Sequence, residues 1–288
     1  MAAHCGGDPL RLDRIFDRRS QYWHAIGLTP ATAQTVTTVG TCVVNYFCIR
    51  QIRLCGSQRA NDPGRRMTSA GSPVAVFDLD GTVTRRDTYL AYLMYVLQRS
   101  GHRVPYCLGL PAAVLQFKRG RLSNDTLKCR FLAAILGGCS RSEIERHTAG
   151  FVEICVTRMV KPAARARIAR HHRQGHRLVL ASASLDVYAT ALGTRLGFDD
   201  VVCTRVAWVA DEISGSLAGP NLLSEAKLAA VKEALTMDER GCGLMFAYSD
   251  HHSDLPLLLF AKHGVAVDPT PPLAAAAAAY GLRIEKWR

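Results

Sequence analysis

The sequence predicts an α/β fold: an open parallel, Rossmann-like sheet with helices on both faces and a helical insertion after the first strand. Two observations support this prediction. Short apolar runs, such as residues 74–77 and 177–182, are typical of strands buried in a parallel sheet. Helical segments alternate with these runs, and that alternation favours helices on both faces of the sheet. Residues 87–172 read as helical throughout, which indicates the insertion.

The predicted elements follow from the hydrophobic pattern in chain order. Helices are predicted at residues 89–97, 110–117, 124–136, 142–159, 185–196, 224–235 and 254–261. Strands are predicted at residues 74–77, 177–182, 201–206, 244–248 and 265–267, with a small polar hairpin at 210–217. The alanine run at residues 274–279 is interpreted as a helix rather than as a low-complexity segment.

The first 72 residues differ from the rest of the chain. They have little sustained period, and residues 57–66 read as a linker rich in polar residues, Gly and Pro. We therefore predict a poorly ordered extension over residues 1–72, with a short helix at 8–22 as its one candidate element. Met67 precedes the first convincing strand, so our hypothesis is that it is the natural start of the protein.

Composition and charge restrict the class of protein. The chain has 288 residues, 48% of them hydrophobic, which is typical of a globular protein. Its net charge of +12 suits nucleic acid, an anionic membrane or phosphorylated metabolites. No nucleic-acid motif is present, so we expect no nucleic-acid partner. The apolar run at residues 35–49 is short and broken by Gly40 and Asn45, which argues against a membrane span.

Cysteine usage indicates a reducing compartment. The ten cysteines are scattered, without a CxxC pair or a zinc-type spacing of cysteine and histidine. A secreted disulfide scaffold is normally shorter and denser in cysteine. We therefore predict reduced thiols and a cytoplasmic location.

Acidic and hydroxyl residues follow three of the predicted strands. Asp78 and Asp80 come after the first strand, Ser182 ends the second, and Asp250 follows the strand at residues 244–248. Ligands of an open parallel sheet bind at the carboxyl ends of its strands, so these side chains should share one crevice. Neighbouring carboxylates repel one another unless a cation lies between them, and oxygen ligands suit Mg²⁺. The sequence therefore predicts a magnesium site.

The pattern resembles a known family. Residues 74–82, an apolar strand followed by DxDGT, resemble the first motif of the haloacid dehalogenase superfamily. Ser182 resembles the second motif, Lys227 the third, and Asp250 with Asp254 the acidic fourth. All four motifs appear in the order of the family, and the resemblance covers residues 73–267.

The resemblance implies a mechanism and a role for each matched residue. Asp78 would be the nucleophile that becomes an aspartyl-phosphate, and Asp80 the general acid and base. Ser182 and Lys227 would bind the phosphoryl oxygens. Mg²⁺ would be held by Asp78, the main-chain oxygen of Asp80, and Asp250, with Asp254 supporting Lys227 or a metal-bound water.

The long helical insertion resembles the cap of the phosphoserine-phosphatase-like branch, subfamily IB. It implies a helical cap at residues 87–172 and a core domain at 73–86 and 173–288. In that branch Asp87 and Arg130 would bind substrate, although for both a surface salt bridge is an equally good interpretation.

Two departures from phosphoserine phosphatase leave the substrate open. The second motif reads Ser-Ala-Ser at residues 182–184 in place of Ser-Gly-Gly, and the fourth contains His251 and His252. Without a third nitrogen or sulfur ligand, we interpret these histidines as loop residues beside the pocket and not as a transition-metal site.

The predicted function is a magnesium-dependent phosphomonoester phosphatase acting on a small phosphorylated metabolite, with phosphoserine as one candidate. A dehalogenase is disfavoured because its chemistry needs no second acid at Asp80, and a transport ATPase because the chain is short and lacks spans. The alternative from a different class is a catalytically silent binding protein that uses its basic surface. The sequence leaves the oligomeric state open.

Overall fold

The computed structural model describes residues 72–236 and 243–288, and within them a six-stranded parallel sheet forms the centre of the fold. Two further strands form a separate antiparallel hairpin. The predicted α/β fold is confirmed. The predicted extension, its helix at residues 8–22, the run at 35–49 and Met67 lie outside the described residues.

The strands and helices have the following bounds. The strands are β1 (Val74–Phe77), β2 (Arg177–Leu185), β3 (Asp200–Thr204), β4 (Val206–Val209), β5 (Glu212–Leu217), β6 (Leu244–Ser249), β7 (His263–Val267) and β8 (Arg283–Glu285). Their order across the parallel sheet is β3-β2-β1-β6-β7-β8, and β4 pairs with β5 in the hairpin. The helices are α1 (Thr88–Arg99), α2 (Leu110–Lys118), α3 (Asn124–Ile135), α4 (Arg141–Ile154), α5 (Pro162–Arg173), α6 (Asp186–Leu196), α7 (Glu225–Ala234), α8 (Leu255–Phe260) and α9 (Pro271–Tyr280).

Strand β1 lies in the middle of the sheet, paired in parallel with β2 on one side and β6 on the other. Its four residues are all buried, and successive side chains point to opposite faces. Ala75 and Phe77 join the apolar cluster that contains α1 and α4 to α6, whereas Val74 and Val76 join the cluster that contains α7 to α9. Because helices cover both faces of the sheet, β1 is expected to contain only apolar residues.

Helices α1, α3 and α4 of the insertion contribute to the larger of these two clusters, whereas Ala113 and Val114 of α2 belong to a small separate one. The rings of Tyr92 on α1 and Phe151 on α4 contact Tyr188 on α6, with centroids 4.7 and 5.4 Å from that of Tyr188. Helix α5 packs against β2, although it falls within the predicted cap at residues 87–172. The boundaries of the domains remain a prediction.

Several elements differ from the sequence prediction. The strand predicted at residues 201–206 divides into β3 and β4, which belong to different sheets. The helix predicted at residues 142–159 ends at Ile154 and continues as a wider turn, Cys155–Met159. Sequence reasoning missed β8, a three-residue edge strand, and the 3₁₀ segment Gly101–Gly109, which contains Pro105. Short elements of this kind leave little periodicity to detect.

No helix in the two described ranges is long and apolar enough to span a bilayer.

Candidate active site

The carboxyl ends of the central strands meet at a cavity of about 510 Å³, a volume that includes its open mouth. Asp78 follows β1, and its backbone N–H donates to Tyr248 O on β6 at 2.9 Å. Residues of the strand ends, the helical insertion and the loops around α7 and α8 share the cavity wall. They are Asp78, Asp80, Tyr89, Asn124, Lys128, Ser182, Ala183, Ser184, Asn221, Leu223, Lys227, His251, Ser253 and Asp254.

Lys227 on α7 joins two carboxylates at the base of this cavity. Its Nζ donates to Asp78 Oδ1 and to Asp254 Oδ2, both at 2.7 Å, and all three side chains are buried. Ser249 Oγ also donates to Asp254 Oδ2 at 2.7 Å. Burial disfavours the charge of Lys227, but the attraction of Asp254 and Asp78 outweighs it and raises its pKa. Asp254 therefore fixes Lys227 beside Asp78.

The carboxylates at and around Asp78 carry more negative charge than the single ammonium of Lys227 neutralises. Burial raises the pKa of Asp78 to about 7. The positive charge of Lys227 opposes this rise, and the negative charges of Asp254 and Asp80 add to it. Burial also raises the pKa of Asp250 well above its usual range, and the negative charge of Asp78 is the next cause. A cation placed between these carboxylates would keep both ionised at neutral pH.

The turn after β1 is shaped to admit Asp250. Gly81 has φ +83°, and a Cβ atom at Gly81 would overlap the Asp250 carboxylate. Thr82 Oγ1 donates to Asp250 Oδ1 at 3.1 Å and accepts from the Asp250 N–H at 2.9 Å. Asp250 therefore lies directly against the turn that carries Asp80.

The oxygen ligands predicted for the metal suit a hard cation that is bound partly by a backbone oxygen. Within the described ranges, no three His, Cys, Asp or Glu side chains converge on one point to hold a metal. The predicted set needs only two side chains, those of Asp78 and Asp250, because its third ligand is the main-chain oxygen of Asp80. Oxygen ligands completed by water are what Mg²⁺ prefers.

The Asp80 carboxylate is held by three hydrogen-bond donors. Oδ1 accepts from the Thr88 N–H and from Thr88 Oγ1, both at 2.6 Å, and Oδ2 accepts from Ser184 Oγ at 2.5 Å. Sequence reasoning missed Thr88 and Ser184. A signal for Ser184 existed, because it stands where the resemblance expected a glycine in the second motif.

Ser182 lies in the cavity wall at the end of β2, almost fully buried. Its Oγ accepts from the Ser184 N–H at 3.0 Å, which orients the hydroxyl within the last residues of β2 beside the cavity. Ser182 on β2 and Lys227 on α7 therefore reach the same cavity from different elements.

The structure corrects the placement of Arg130. Arg130 is exposed, does not line the cavity, and its guanidinium lies 3.4 Å from Gln116 Oε1. Lys128, two residues earlier, is buried and donates to Ala183 O at 2.5 Å and Asn221 Oδ1 at 2.7 Å. Two residues correspond to about 200° of helix rotation, so the two side chains point to opposite sides of α3. Burial lowers the pKa of Lys128 to about 8.

Asp87 forms the N-cap of α1 beside the cavity. Its Oδ1 accepts from the Leu90 N–H at 2.9 Å, while its Oδ2 is buried without a hydrogen-bond partner. Burial and, next, the charge of Asp80 raise the pKa of Asp87 to about 7. Asp87 is therefore close to Asp80 but does not belong to the cavity wall itself.

The two histidines of the fourth motif occupy different environments. His251 lines the cavity and its Nδ1 accepts from the Ser253 N–H at 3.1 Å, so it caps the short turn His252–Asp254. Burial lowers the pKa of His251 to about 4, which keeps the ring neutral. His252 is exposed. This arrangement agrees with loop histidines beside the pocket.

The geometry agrees with comparisons to known proteins. A family model described as haloacid dehalogenase-like hydrolase matches residues 75–259. The chain is 28% identical to protein CicA of Caulobacter vibrioides over 190 residues, 65% of this chain and 82% of the relative. It is 25% identical to a histidinol-phosphatase of Neisseria meningitidis serogroup C over 216 residues, 69% of this chain and 92% of the relative.

Solved structures share the fold. A protein of unknown function from Bordetella pertussis Tohama I superimposes with a TM-score of 0.62 at 22% identity, covering 73% of this chain and 96% of that one. A probable phosphoserine phosphatase from Vibrio cholerae superimposes with a TM-score of 0.55 at 15% identity, covering 76% of this chain and 64% of that one. The phosphoserine-phosphatase-like architecture predicted from the sequence is thus confirmed.

Proposed function

Because the chain belongs to the haloacid dehalogenase-like hydrolase family, we propose that it is a magnesium-dependent phosphomonoester phosphatase that works through an aspartyl-phosphate on Asp78. The observation that carries the proposal is the contact of Asp78 with Lys227 at 2.7 Å, inside a cavity that also contains Asp80. A buried carboxylate whose pKa is perturbed by specific charges in a cleft is characteristic of a catalytic group.

The first step is transfer of the phosphoryl group to Asp78. A carboxylate oxygen of Asp78 attacks phosphorus in line as the bond from phosphorus to the substrate oxygen breaks. Asp80 gives a proton to that oxygen, which leaves as an alcohol. Lys227 and Ser182 hold the phosphoryl oxygens, whose charge is redistributed in the transition state.

The second step is hydrolysis of the aspartyl-phosphate. Asp80, now ionised, removes a proton from the water that attacks phosphorus, and the Asp78 carboxylate and inorganic phosphate are released. Mg²⁺, held by Asp78, the Asp80 main-chain oxygen and Asp250, would supply positive charge to the phosphate and to the attacking carboxylate. Asp254 keeps Lys227 in position through both steps.

We further propose that residues 87–172 act as a cap over a core formed by 73–86 and 173–288. Tyr89 and Lys128 reach the cavity from the helical insertion, which supports this division. Helix α5 would form the return from cap to core, since it packs against β2. In such an arrangement the cap supplies specificity and the strand ends supply the chemistry.

The substrate in this proposal is a small phosphorylated metabolite with a polar organic part. The cap side of the cavity presents Tyr89, Asn124 and Lys128, and Asp87 with its unpaired oxygen lies beside it. The names of the similar proteins suggest phosphoserine and histidinol phosphate as the first compounds to test.

The test is phosphate release from a panel of phosphomonoesters, with Mg²⁺ or with EDTA. We expect metal-dependent turnover that falls by about a thousandfold or more in Asp78→Asn, because that substitution removes the nucleophile while keeping the side-chain shape. Asp211→Asn, on the exposed β4–β5 hairpin, is the matched control and should retain activity.

Two results would contradict the proposal. A folded wild-type protein that releases no phosphate from the panel with Mg²⁺ present would favour the silent binding protein. Equal turnover by the wild type and Asp78→Asn would assign any activity observed to another site or to a contaminant.

A further inference from the structure

Helix α2 of the insertion carries apolar side chains on its outer face. Leu108, near the end of the 3₁₀ segment that leads into α2, is 78% exposed, and Leu115 within α2 is 45% exposed. Ala112, which lies between them, is also exposed. These three residues are four and three positions apart, so they lie along one side of the helical segment. The residues that the structure describes leave this apolar stripe open to solvent.

The core of the insertion does not need this stripe. The buried side of α2 packs Ala113 and Val114 against Leu127 of α3 in a small apolar cluster. Tyr106, two residues before the stripe begins, is 69% exposed although its ring is large and mostly apolar. Exposed apolar side chains that are contiguous and bordered by polar residues mark an interaction surface.

Basic side chains border one end of the stripe. Lys118 is the last residue of α2, and Arg119 and Arg121 follow it closely. All three are exposed. Arg119 comes four residues after Leu115, so it continues the line of the stripe beyond the last leucine.

No acidic residue on the same segment offsets these charges. Residues 88–124 contain neither Asp nor Glu. Asp125, the next acid along the chain, accepts from Asn221 Nδ2 at 3.0 Å, which directs it to the cavity wall. Arg130 on α3 adds a further cation, because its Nη1 lies 3.4 Å from Gln116 Oε1 on α2. The border of the stripe is therefore strongly basic.

An anionic lipid surface is the partner that fits both features. Its headgroups attract exposed Lys and Arg, and Leu and Tyr side chains gain by entering the boundary between headgroups and acyl chains. A nucleic acid would pair with the cations but would give the leucines no apolar contact. A second copy of the chain would cover the leucines but would bring two sets of cations together.

We propose that the outer face of α2 docks the protein peripherally on membranes that contain anionic phospholipids. This lipid-docking surface consists of Tyr106, Leu108, Leu115, Arg119 and Arg121. The apolar side chains enter the boundary region of the bilayer, and the arginines contact headgroup phosphates. None of the five residues lines the cavity, so the inference does not depend on the proposed phosphatase function.

The experiment is co-sedimentation of the full chain with two kinds of vesicle, one of phosphatidylcholine alone and one of equal parts of phosphatidylcholine and phosphatidylglycerol. We expect binding to the vesicles with phosphatidylglycerol and little to the others. Added salt should weaken the binding, because it screens the attraction between the arginines and the headgroups.

Two double variants separate the apolar and the charged contributions. Leu108→Ser, Leu115→Ser should weaken binding to the phosphatidylglycerol vesicles by about tenfold or more, because it removes apolar area that the bilayer buries. Arg119→Gln, Arg121→Gln should weaken it by about tenfold to thirtyfold and reduce its dependence on salt. All four positions are exposed, so the fold should be retained.

Matched controls change the same chemistry elsewhere on the surface. Val209→Ser removes an apolar side chain that is 68% exposed on the β4–β5 hairpin. Arg170→Gln, Arg173→Gln removes two exposed cations from α5. Both controls should bind the phosphatidylglycerol vesicles as the wild type does.

Three results would overturn the inference. The first is a wild-type protein that remains in solution with both kinds of vesicle. The second is an equal loss of binding in Arg170→Gln, Arg173→Gln and in Arg119→Gln, Arg121→Gln, which would assign the binding to net charge. The third is a dimer that Leu108→Ser, Leu115→Ser converts to a monomer without any change in vesicle binding, which would assign the stripe to a second copy of the chain. Phosphate release plays no part in these measurements, so the proposed function is tested separately.

Discussion

At the scale of single residues, the site depends on how closely buried charges approach one another. Asp78 and Asp254 share the ammonium of Lys227, and Asp250 reaches the same region only because residue 81 lacks a side chain. Gly81 therefore has two functions. It adopts a left-handed conformation that other residues rarely adopt, and it leaves room for the Asp250 carboxylate.

The first prediction concerns Gly81→Ala. The substitution places a Cβ atom against the Asp250 carboxylate, so Asp250 has to move and its part of the proposed metal site is lost. We expect stability to fall by about 1–2 kcal/mol from the strained backbone and Mg²⁺-dependent turnover to fall by at least an order of magnitude. Denaturant titrations and the Mg²⁺ dependence of phosphate release measure the two effects.

Gly175→Ala is the matched control for this prediction. Gly175 also has a positive φ, +73°, but a Cβ atom there meets nothing within 4 Å. The two variants should therefore lose similar backbone stability, while only Gly81→Ala changes the Mg²⁺ dependence. A Gly81→Ala enzyme with wild-type Mg²⁺ dependence would show that Asp250 is not needed for the metal.

At the scale of elements, one buried ion pair joins three separate segments of the chain. Lys161, at the start of α5, donates from Nζ to Gly81 O and to Asp268 Oδ2, the latter at 2.9 Å. The Trp287 N–H in turn donates to Asp268 at 3.2 Å. The turn after β1, the start of α5 and the C-terminal segment are thus held together beneath the site.

The second prediction in this set is that Lys161→Met is strongly destabilising. The substitution removes the buried cation of Asp268 and leaves only the exposed Arg288, whose Nε lies 3.6 Å away. Breaking a buried pair in this way costs about 3–5 kcal/mol. The free energy of unfolding from urea titrations provides the measurement. The double variant Lys161→Met, Asp268→Leu should recover part of the loss, because it removes the uncompensated charge.

Arg195→Met is the control for the buried pair. Arg195 pairs with Glu153 at 3.4 Å, but both side chains are more than half exposed. Exposed pairs of this kind contribute about 0–1 kcal/mol. If Lys161→Met were no more destabilising than Arg195→Met, the Lys161 pair would not hold these elements together.

At the scale of the whole molecule, a cluster of aromatic and polar side chains joins α5 to the sheet. His171 lies on α5, with its Nε2 2.9 Å from the Tyr248 hydroxyl and its Nδ1 2.8 Å from His176 Nδ1. Burial, followed by the charges of His176, Arg167 and Arg170, lowers the pKa of His171 to about 4. The folded protein therefore keeps this ring neutral.

The third prediction in this set concerns stability against pH. An unfolded histidine takes up a proton near pH 6.5, whereas His171 in the folded protein does so near pH 4. Between these values the unfolded state binds more protons, so stability falls as the pH is lowered from about 6.5 to about 4. The contribution of this single group approaches about 3 kcal/mol over that window.

Unfolding free energies measured at several pH values, for the wild type and His171→Gln, test this prediction. The unfolding free energy of His171→Gln should change less steeply with pH than that of the wild type, by an amount that corresponds to up to one proton. This holds whatever the stability of the variant at neutral pH, because glutamine does not titrate. His172→Gln, an exposed neighbour on the same helix, should keep the wild-type slope. Equal slopes for all three proteins would contradict the assignment to His171.

The sequence by itself determined the class of fold and the residues that meet at the strand ends. Short continuous apolar runs, separated by helices, predict a parallel sheet, and the residues that follow its strands must share one edge. Asp78, Asp80 and Ser182 could therefore be selected before their distances were known, whereas Lys227 was selected by its resemblance to the third motif of the family. These inferences succeed because they depend on local periodicity and on a general rule of sheet topology.

Tertiary structure alone decided which side of α3 faces the cavity, and with it the choice of Lys128 over Arg130. It also revealed that Ser184 holds Asp80 and that Asn124 carries an unpaired oxygen. The physical reason is that the rotation of a helix against its neighbours, and the partner of each buried polar group, depend on contacts between residues far apart in the chain. No local pattern in the sequence specifies those contacts.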